Sequence, residues 1–429
     1  MSGYDETSRR RDVAAGRRKE AAGLPVSIAA RALESVLAFT QPADGALRAF
    51  FRSQPKMGRR DRAAAADSVF DVLRNRRFHE RLAEEGDGPV AVRLLAVSRI
   101  RRGLPVPGVS PGEPLPDWLM QARDADPAQF DFAVRYSLPD WLAEALRARP
   151  DAEALAAALL EPAPLDLRVN VARTDRDKAR VLLAADGIET VPLAIAPQAL
   201  RVQGKPSIET SRAFEQGWVE VQDAGSQLLA ALVGARRGQV VVDFCAGAGG
   251  KSLALAAAMR ATGQVFACDV SAARLQRLRP RLQRAGAGNV QPMVIDGEQD
   301  RRLERLAGRA DAVLVDAPCS GTGTLRRNPE LKWRLDAGRL DALPGEQRAI
   351  LAAAARLVKP GGVLVYATCS LLDDENEAQA LDFESTHPEF EREHAGGILP
   401  GLGDADGFLR LYPHRDGVDG FFAARWRRR

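Results

Sequence analysis

The chain has 429 residues, and its 61 basic and 57 acidic side chains give a formal charge of +4. Hydrophobic residues make up 45% of the sequence and charged residues 28%, which excludes a mainly disordered chain, a collagen and a disulfide scaffold. This length predicts two or three domains. The four cysteines all lie in the C-terminal half and are too few for a disulfide framework, which favours a reducing compartment.

The N-terminal residues 1–23 are charged and have no apolar centre, so we expect a solvated tail rather than a secretory signal. No apolar run approaches the ~18 residues that a membrane helix needs, so we expect a cytoplasmic protein without a membrane partner. Arginine carries most of the positive charge, in clusters such as residues 274–284 and 425–429. Such clusters suit contacts with nucleic-acid phosphates, but solvated helix faces have the same composition, so charge alone does not decide between them.

Three regions follow the tail. Residues 24–150 have apolar positions at helical spacing, clearest within 61–82, and a Pro/Gly-rich stretch at 103–116 interrupts them, which predicts an all-α domain. Residues 151–221 contain short alternating runs around one helix and predict a small α/β unit. From 222 to 429, apolar runs alternate with helical segments. This pattern predicts an α/β fold with a Rossmann-like, doubly wound sheet of parallel strands.

The first strong strand of this last region runs into a glycine-rich loop at 243–252. Such a loop lets the backbone approach a nucleotide-like ligand at the carboxyl end of a strand. A phosphate-binding P-loop would need glycine at Cys245, and the dinucleotide fingerprint would need it at Ser252. The next two strands end in Asp269 and Asp296, which suit ribose hydroxyls and an adenine edge. Together these features predict a cofactor with adenosine and no phosphates, such as S-adenosylmethionine.

Two further strands end in cysteine motifs, Asp-Ala-Pro-Cys-Ser-Gly-Thr-Gly at 316–323 and Thr-Cys-Ser at 368–370. We expect both thiols at the ligand edge of the sheet, whereas Cys268 lies within a strand and is expected in the core. No metal site is expected, because a close Cys-x-x-Cys pair is missing and only four histidines are present.

Cysteine suits methylation of cytosine at C5, which is a poor nucleophile. A thiolate that adds to C6 makes C5 able to attack a sulfonium methyl group. The attacking thiol needs nearby positive charge, which Lys251 or the sulfonium can provide. A protonated Asp316 is placed to donate a hydrogen bond to ring N3.

These motifs resemble the Sun/NOP-type RNA cytosine-C5 methyltransferases over about residues 165–426. The resemblance implies a class I methyltransferase fold, Cys369 as the nucleophile and Cys319 as the residue that assists release of the methylated RNA. It also implies a set of cofactor-binding residues: Cys245, Ala246, Gly247, Ala248, Gly249, Gly250, Lys251, Asp269, Asp296 and Asp316. The family usually has proline where Ala248 stands, so this loop should be looser while still allowing close approach.

Three N-terminal segments, at 41–46, 58–62 and 69–74, are similar to the NusB-like RNA-binding domain of the bacterial ribosomal RNA small-subunit methyltransferase B group. Generic helical packing explains the same pattern. The similarity favours ribosomal RNA as the partner of a monomeric enzyme, with transfer RNA left open. DNA cytosine methylation through Pro318-Cys319 and a non-catalytic RNA-binding assembly factor are the alternatives.

Overall fold

The computed structural model describes residues 26–106, 109 and 113–429, so the expected tail at 1–23 lies outside the described residues. The chain divides into two compact units. The helical unit comprises the described residues up to Glu161 together with Leu325–Arg334, and the sheet unit comprises Pro162–Thr324 and Leu335–Arg429.

Up to Glu161, the described residues of the helical unit form helices and no strands, as their apolar spacing predicts. Its helices are α1 Val26–Leu37, α2 Ala43–Ser53, α3 Arg59–Arg74, α4 Arg76–Leu82, α5 Val90–Arg101, α6 Asp117–Asp124, α7 Phe132–Arg135, α8 Asp140–Arg147 and α9 Ala152–Leu159. Val69 and Val72 of α3 pack with Leu33 of α1 and Leu94 of α5 in one buried cluster. Residues 151–161 were predicted to belong to the small α/β unit. They belong instead to the helical unit, because α9 packs against α8.

The segment Leu325–Arg334, which we call the strap, completes two helix ends of the helical unit. Glu330 Oε1 accepts a bond of 3.1 Å from the backbone N–H of Ala43, the first residue of α2. Lys332 Nζ donates at 3.0 Å to the carbonyl of Arg74, the last residue of α3. An acid at a helix N-terminus and a base at a C-terminus satisfy orphan backbone groups and oppose the helix dipole.

The strap makes the stability of the helical unit depend on pH. Burial, reinforced by the charge of Arg74, lowers the pKa of Lys332 to about 7. An unfolded lysine titrates near ~10.4, so between about pH 7 and about pH 10 the unfolded chain binds more protons and the free energy of unfolding should rise with pH. We expect Lys332→Met to remove the contribution of Lys332 to this rise in the free energy of unfolding.

Urea unfolding followed by far-ultraviolet circular dichroism measures this effect at both ends of the pH window. Lys56→Met is the matched control, because Lys56 is an exposed lysine of the same unit. Equal pH dependence in the two variants would show that Lys332 titrates normally in the folded protein.

The sheet unit begins with a small antiparallel sheet of order β2-β3-β1-β4. Its strands are β1 Asp166–Val169, β2 Thr190–Pro192, β3 Ala199–Val202 and β4 Val219–Val221, accompanied by α10 Arg176–Ala185 and α11 Arg212–Glu215. Leu167 and Val169 of β1 are fully buried against Leu183 of α10. The small α/β unit predicted from alternating runs therefore begins after Glu161.

A larger sheet of order β10-β12-β9-β8-β5-β6-β7 follows, with β11 paired to β12. Its strands are β5 Val240–Asp243, β6 Gln264–Asp269, β7 Val290–Val294, β8 Ala310–Asp316, β9 Val358–Thr368, β10 Phe390–Arg392, β11 Leu409–Leu411 and β12 Phe421–Arg428. Strands β5 to β9 are parallel, as predicted. Strand β12 runs antiparallel to β9, β10 and β11, which differs from the predicted sheet of parallel strands.

Helices cover both faces of the large sheet. They are α12 Ala224–Leu232, α13 Gly250–Ala258, α14 Ala272–Ala285, α15 Arg301–Glu304, α16 Ala337–Ala355, α17 Glu377–Thr386 and α18 Pro413–Asp416. Val241 of β5 packs in the cluster that contains α12 to α14, and its neighbour Val242 packs in the one that contains α16 and α17. This alternation confirms the doubly wound arrangement. Because β5 lies between β6 and β8, the strand order reverses there, where such sheets bind ligands.

Candidate active site

A cavity of ≈ 500 Å³ opens at the carboxyl ends of β5 to β9. This volume is within the range of small-molecule sites. Of the residues predicted to act here, the lining contains Cys245, Ala246, Gly247, Ala248, Gly250, Lys251, Asp269, Asp316, Cys319 and Cys369. The structure thus brings together side chains that are far apart in the sequence.

The glycine-rich loop between β5 and α13 depends on two left-handed residues, Gly247 with φ of 56° and Gly249 with φ of 79°. A Cβ at Gly249 would lie 2.2 Å from Leu278 Cδ1, so only glycine fits there and the residue acts by packing rather than by lining the cavity. At Gly247 no described heavy atom lies within 4 Å of an added Cβ, so the backbone faces open cavity space.

Asp269 is buried at the end of β6, and its carboxylate holds the loop. One oxygen accepts from the Gly247 N–H at 2.8 Å and the other from the Ser271 N–H at 2.7 Å. Each oxygen keeps a further lone pair for a ribose hydroxyl. The acid therefore lies beside the loop, and its contact with a ribose stays a prediction.

Asp296 has a different environment. Its side chain is 88% exposed and pairs with Arg302 at 2.8 Å. Its neighbours Ile295 and Gly297 line the cavity, whereas Asp296 does not. The contact of Asp296 with an adenine edge stays a prediction, and the cavity wall here is the buried apolar side chain of Ile295.

Cys268 and Cys245 are the two cysteines expected to do no chemistry. Cys268 is fully buried within β6, and burial raises its pKa to about 12. Cys245 lines the cavity, and burial, with the charge of Asp316 and other acids, raises its pKa well above the ordinary value. Both are therefore neutral thiols near neutral pH. None of the four cysteines forms a disulfide bond.

An ion pair spans the cavity floor. Lys251 Nζ, at the start of α13, donates to Asp316 Oδ2 at 2.6 Å. Burial alone would lower the pKa of Lys251, but the charge and hydrogen bond of Asp316 outweigh burial and raise it, and Cys369 adds to the rise. The lysine is therefore held as a cation beside Cys369. Asp316 is an acceptor in this arrangement, so its role as proton donor to ring N3 stays a prediction.

The two remaining cysteines are in contact. Cys319, after β8, and Cys369, after β9, have their sulfur atoms 3.4 Å apart, and both line the cavity. The contact with Cys369, together with burial and the nearby acid Glu375, raises the pKa of Cys319 well above its ordinary value. Cys319 therefore keeps its proton, while the cation at Lys251 interacts electrostatically with Cys369.

Two charged residues that hold these loops were missed by sequence reasoning. Arg168 on β1 is buried and donates to the Gly250 carbonyl at 2.7 Å, and burial lowers its pKa to about 10. Glu375 is buried beside both cysteine loops. An acidic run at 373–377 was the only signal for it, and such a run ordinarily predicts a solvated turn.

Comparison with known proteins finds family matches for two parts of the chain. Residues 230–427 match the family described as 16S rRNA methyltransferase RsmB/F. Residues 230–427 form an RsmB/F-family methyltransferase domain. Residues 138–209 match the ferredoxin-like domain of RsmF/B-like methyltransferases, which overlaps the small antiparallel sheet.

Curated relatives carry matching names. The chain is 37% identical over 281 residues to "Probable ribosomal RNA small subunit methyltransferase B" of Synechocystis sp., covering 64% of this chain and 63% of the relative. It is 38% identical over 267 residues to "Ribosomal RNA small subunit methyltransferase B" of Sodalis glossinidius, covering 61% and 58%. The matched region spans about three fifths of the length of these RsmB/F relatives.

Solved structures share the fold. The crystal structure of PH0851 is 26% identical, with a TM-score of 0.77 over 94% of this chain and 99% of that one. A methyltransferase homolog protein from Pyrococcus horikoshii is also 26% identical, with a TM-score of 0.61 over 71% and 100%. The family match confirms the resemblance to Sun/NOP-type enzymes for residues 230–427, and the two structures confirm the class I methyltransferase fold.

S-adenosylmethionine is the cofactor of this methyltransferase family, and the cavity residues fit it. The open space facing Gly247 admits a ligand close to the backbone, and Asp269 retains acceptor capacity beside it. Within the described part of the chain, no group of His, Cys, Asp and Glu side chains is arranged to hold a metal ion. No helix among the described residues is long and apolar enough to cross a bilayer.

Replacing Gly249 should disturb cofactor binding without touching the cofactor. Alanine there costs about 1 kcal/mol or more for its left-handed backbone, and its Cβ would displace Leu278. We expect the affinity for S-adenosylmethionine to fall by about tenfold or more in a calorimetric titration. Gly288→Ala is the control, because no described atom lies within 4 Å of its added Cβ. Unchanged affinity in Gly249→Ala would contradict this account of the loop.

Proposed function

We propose that this protein transfers a methyl group from S-adenosylmethionine to C5 of a cytosine in RNA, with small-subunit ribosomal RNA as the substrate. The observation that carries the proposal is the contact of Cys319 and Cys369 at 3.4 Å in the cavity that contains the glycine-rich loop. The names of the relatives support ribosomal RNA over transfer RNA.

The bound cofactor supplies an electrophilic methyl group on a sulfonium. Cys369 is the nucleophile: its thiolate forms a bond to C6 of the cytosine, which makes C5 electron-rich. Lys251 is the cation near that thiolate, and Asp316 keeps the lysine charged and in place. After C5 has gained the methyl group, a base removes the C5 proton, and the C5–H electron pair re-forms the double bond between C5 and C6. The bond between Cys369 and C6 then breaks, and its electron pair returns to sulfur.

Cys319 assists this last step, as the family resemblance implies. Its sulfur lies within hydrogen-bond distance of the Cys369 sulfur, so it can exchange a proton with the departing thiolate. A thiol whose pKa is raised suits this role better than that of attacking nucleophile, because little of it is thiolate near neutral pH. The pair therefore divides attack and release between two cysteines.

The other regions are proposed to bind RNA. We assign RNA contacts to the small antiparallel sheet and to the NusB-like helical unit, where the similarity of segments 41–46, 58–62 and 69–74 supports the role. We further propose a monomer that acts in the cytoplasm. Gel filtration tests the oligomeric state.

Because Cys369 is proposed to attack and Cys319 to assist release, we expect different results from alanine variants of the two cysteines. Cys369→Ala should abolish methylation, because no covalent bond to C6 can form. Cys319→Ala should accumulate a protein–RNA adduct, seen as a retarded band on denaturing gels with labelled RNA. Cys268→Ala is the control, since Cys268 lies in the core and outside the cavity. Full activity in Cys369→Ala, or no adduct in Cys319→Ala under turnover, would contradict the assignment.

The substrate is tested with labelled S-adenosylmethionine and three nucleic acids: small-subunit ribosomal RNA, transfer RNA and DNA. We expect methyl incorporation into ribosomal RNA, with 5-methylcytosine as the product. Preferential methylation of transfer RNA would show that transfer RNA, and not ribosomal RNA, is the substrate. Incorporation only into DNA would overturn the proposal. Cofactor binding without transfer to any of the three would favour a non-catalytic assembly factor.

A further inference from the structure

Glu375 is a buried acid, 1% exposed, in a short turn at Asp373–Glu375 that follows the Thr-Cys-Ser motif. Its Oε2 accepts from the Ser320 N–H at 2.8 Å and from Gln347 Nε2 at 2.9 Å. Its Oε1 accepts from the Ser370 hydroxyl at 2.6 Å. Three donors on one carboxylate offset the cost of burying the charge.

The donors connect the two cysteine loops. Ser320 directly follows Cys319, and Ser370 directly follows Cys369. Gln347, on α16, donates from the same nitrogen to the carbonyl of Pro318 at 2.9 Å, on the other side of Cys319. One carboxylate thus fixes residues next to both thiols.

The hydroxyls around this carboxylate tighten the same contact. The Ser320 and Ser370 hydroxyl oxygens lie 3.0 Å apart, and Thr322 Oγ1 accepts from the Leu371 N–H at 2.8 Å. All four residues are buried. Without an acceptor at Glu375, the Ser320 N–H would lose its buried partner, and the Gln347 amide would keep only the Pro318 carbonyl.

We propose that Glu375 is a positioning residue that holds Cys319 and Cys369 at their contact distance and thereby governs release of the methylated RNA. The role of Glu375 in RNA release rests on the proposed function, whereas its positioning of the two thiols does not.

An electrostatic consequence separates this role from simple packing. After the Cys369 contact and burial, the negative charge of Glu375 also raises the pKa of Cys319. The other titratable groups near the two thiols are Tyr366, whose hydroxyl donates to the Glu375 carbonyl at 2.7 Å, Cys245, and the Lys251–Asp316 pair. Substitution at the carboxylate leaves all of these in place.

Three variants of the full-length protein test the proposal. Glu375→Gln keeps the side-chain length and removes the charge. Glu375→Asp keeps the charge and shortens the reach. Asp374→Asn removes the charge of the adjacent exposed acid and is the matched control. For each variant we measure iodoacetamide alkylation of Cys319 and Cys369 against pH, by peptide mass spectrometry, together with S-adenosylmethionine affinity and the kcat and KM for RNA.

We expect the alkylation profile of Cys319 in Glu375→Gln to move toward lower pH by about half a unit or more. We also expect kcat to fall by about tenfold in both Glu375 variants, while KM and cofactor affinity stay within about twofold. Glu375→Asp should keep the wild-type alkylation profile. Asp374→Asn should match the wild type in every measurement.

The proposal is overturned if Glu375→Gln binds the cofactor and leaves both the Cys319 profile and kcat unchanged. It is also overturned if Glu375→Asp lowers kcat and cofactor affinity together and raises KM, because a general structural role predicts that result. Alkylation separates this test from that of the proposed function: a shifted Cys319 profile in a protein that methylates no RNA would support the positioning and refute the activity.

Discussion

The contact between Cys319 and Cys369 depends on the register of two parallel strands. Asp316 of β8 lies opposite Ala367 of β9, so both strands end at the same level of the sheet and the loops that follow them reach the same cavity. The Ala317 N–H still bonds the Ala367 carbonyl at 2.9 Å, and the Gly323 N–H bonds the Cys369 carbonyl at 2.9 Å. A slip by one residue would turn the side chains to opposite faces and separate the thiols.

The antiparallel edge of the sheet supports the same contact. A Cβ on Gly323 would lie 2.2 Å from the Gly420 carbonyl, and the Gly420 N–H bonds the Gly323 carbonyl at 2.8 Å. Gly420 directly precedes β12, which pairs with β9. The Asp-Gly-Phe-Phe segment at 419–422 therefore packs against the loop that follows Pro318 and Cys319. Its glycine is required by close backbone approach rather than by chemistry.

The sequence was sufficient where local pattern and strand position agree. Asp269, Asp316, Cys319 and Cys369 each follow a buried parallel strand, and the carboxyl ends of such strands share one edge, so their convergence was predictable. Glu375 was not, because an acidic run resembles a solvated turn and only the long-range donors on Ser320 and α16 make its burial favourable. Strand spacing likewise does not show that Asp296 is exposed and pairs with Arg302.

The strap shows why domain boundaries were harder to predict than the site. Thr324 closes the turn after the Pro-Cys motif within the sheet unit, and Leu325 begins a segment that folds with the helical unit. The sequence pattern predicts that Leu325–Arg334 belongs to the catalytic region. Glu330 and Lys332, however, form hydrogen bonds with backbone groups at the ends of α2 and α3. The segment begins six residues after Cys319, and these two long-range hydrogen bonds, which composition does not show, decide which unit it belongs to.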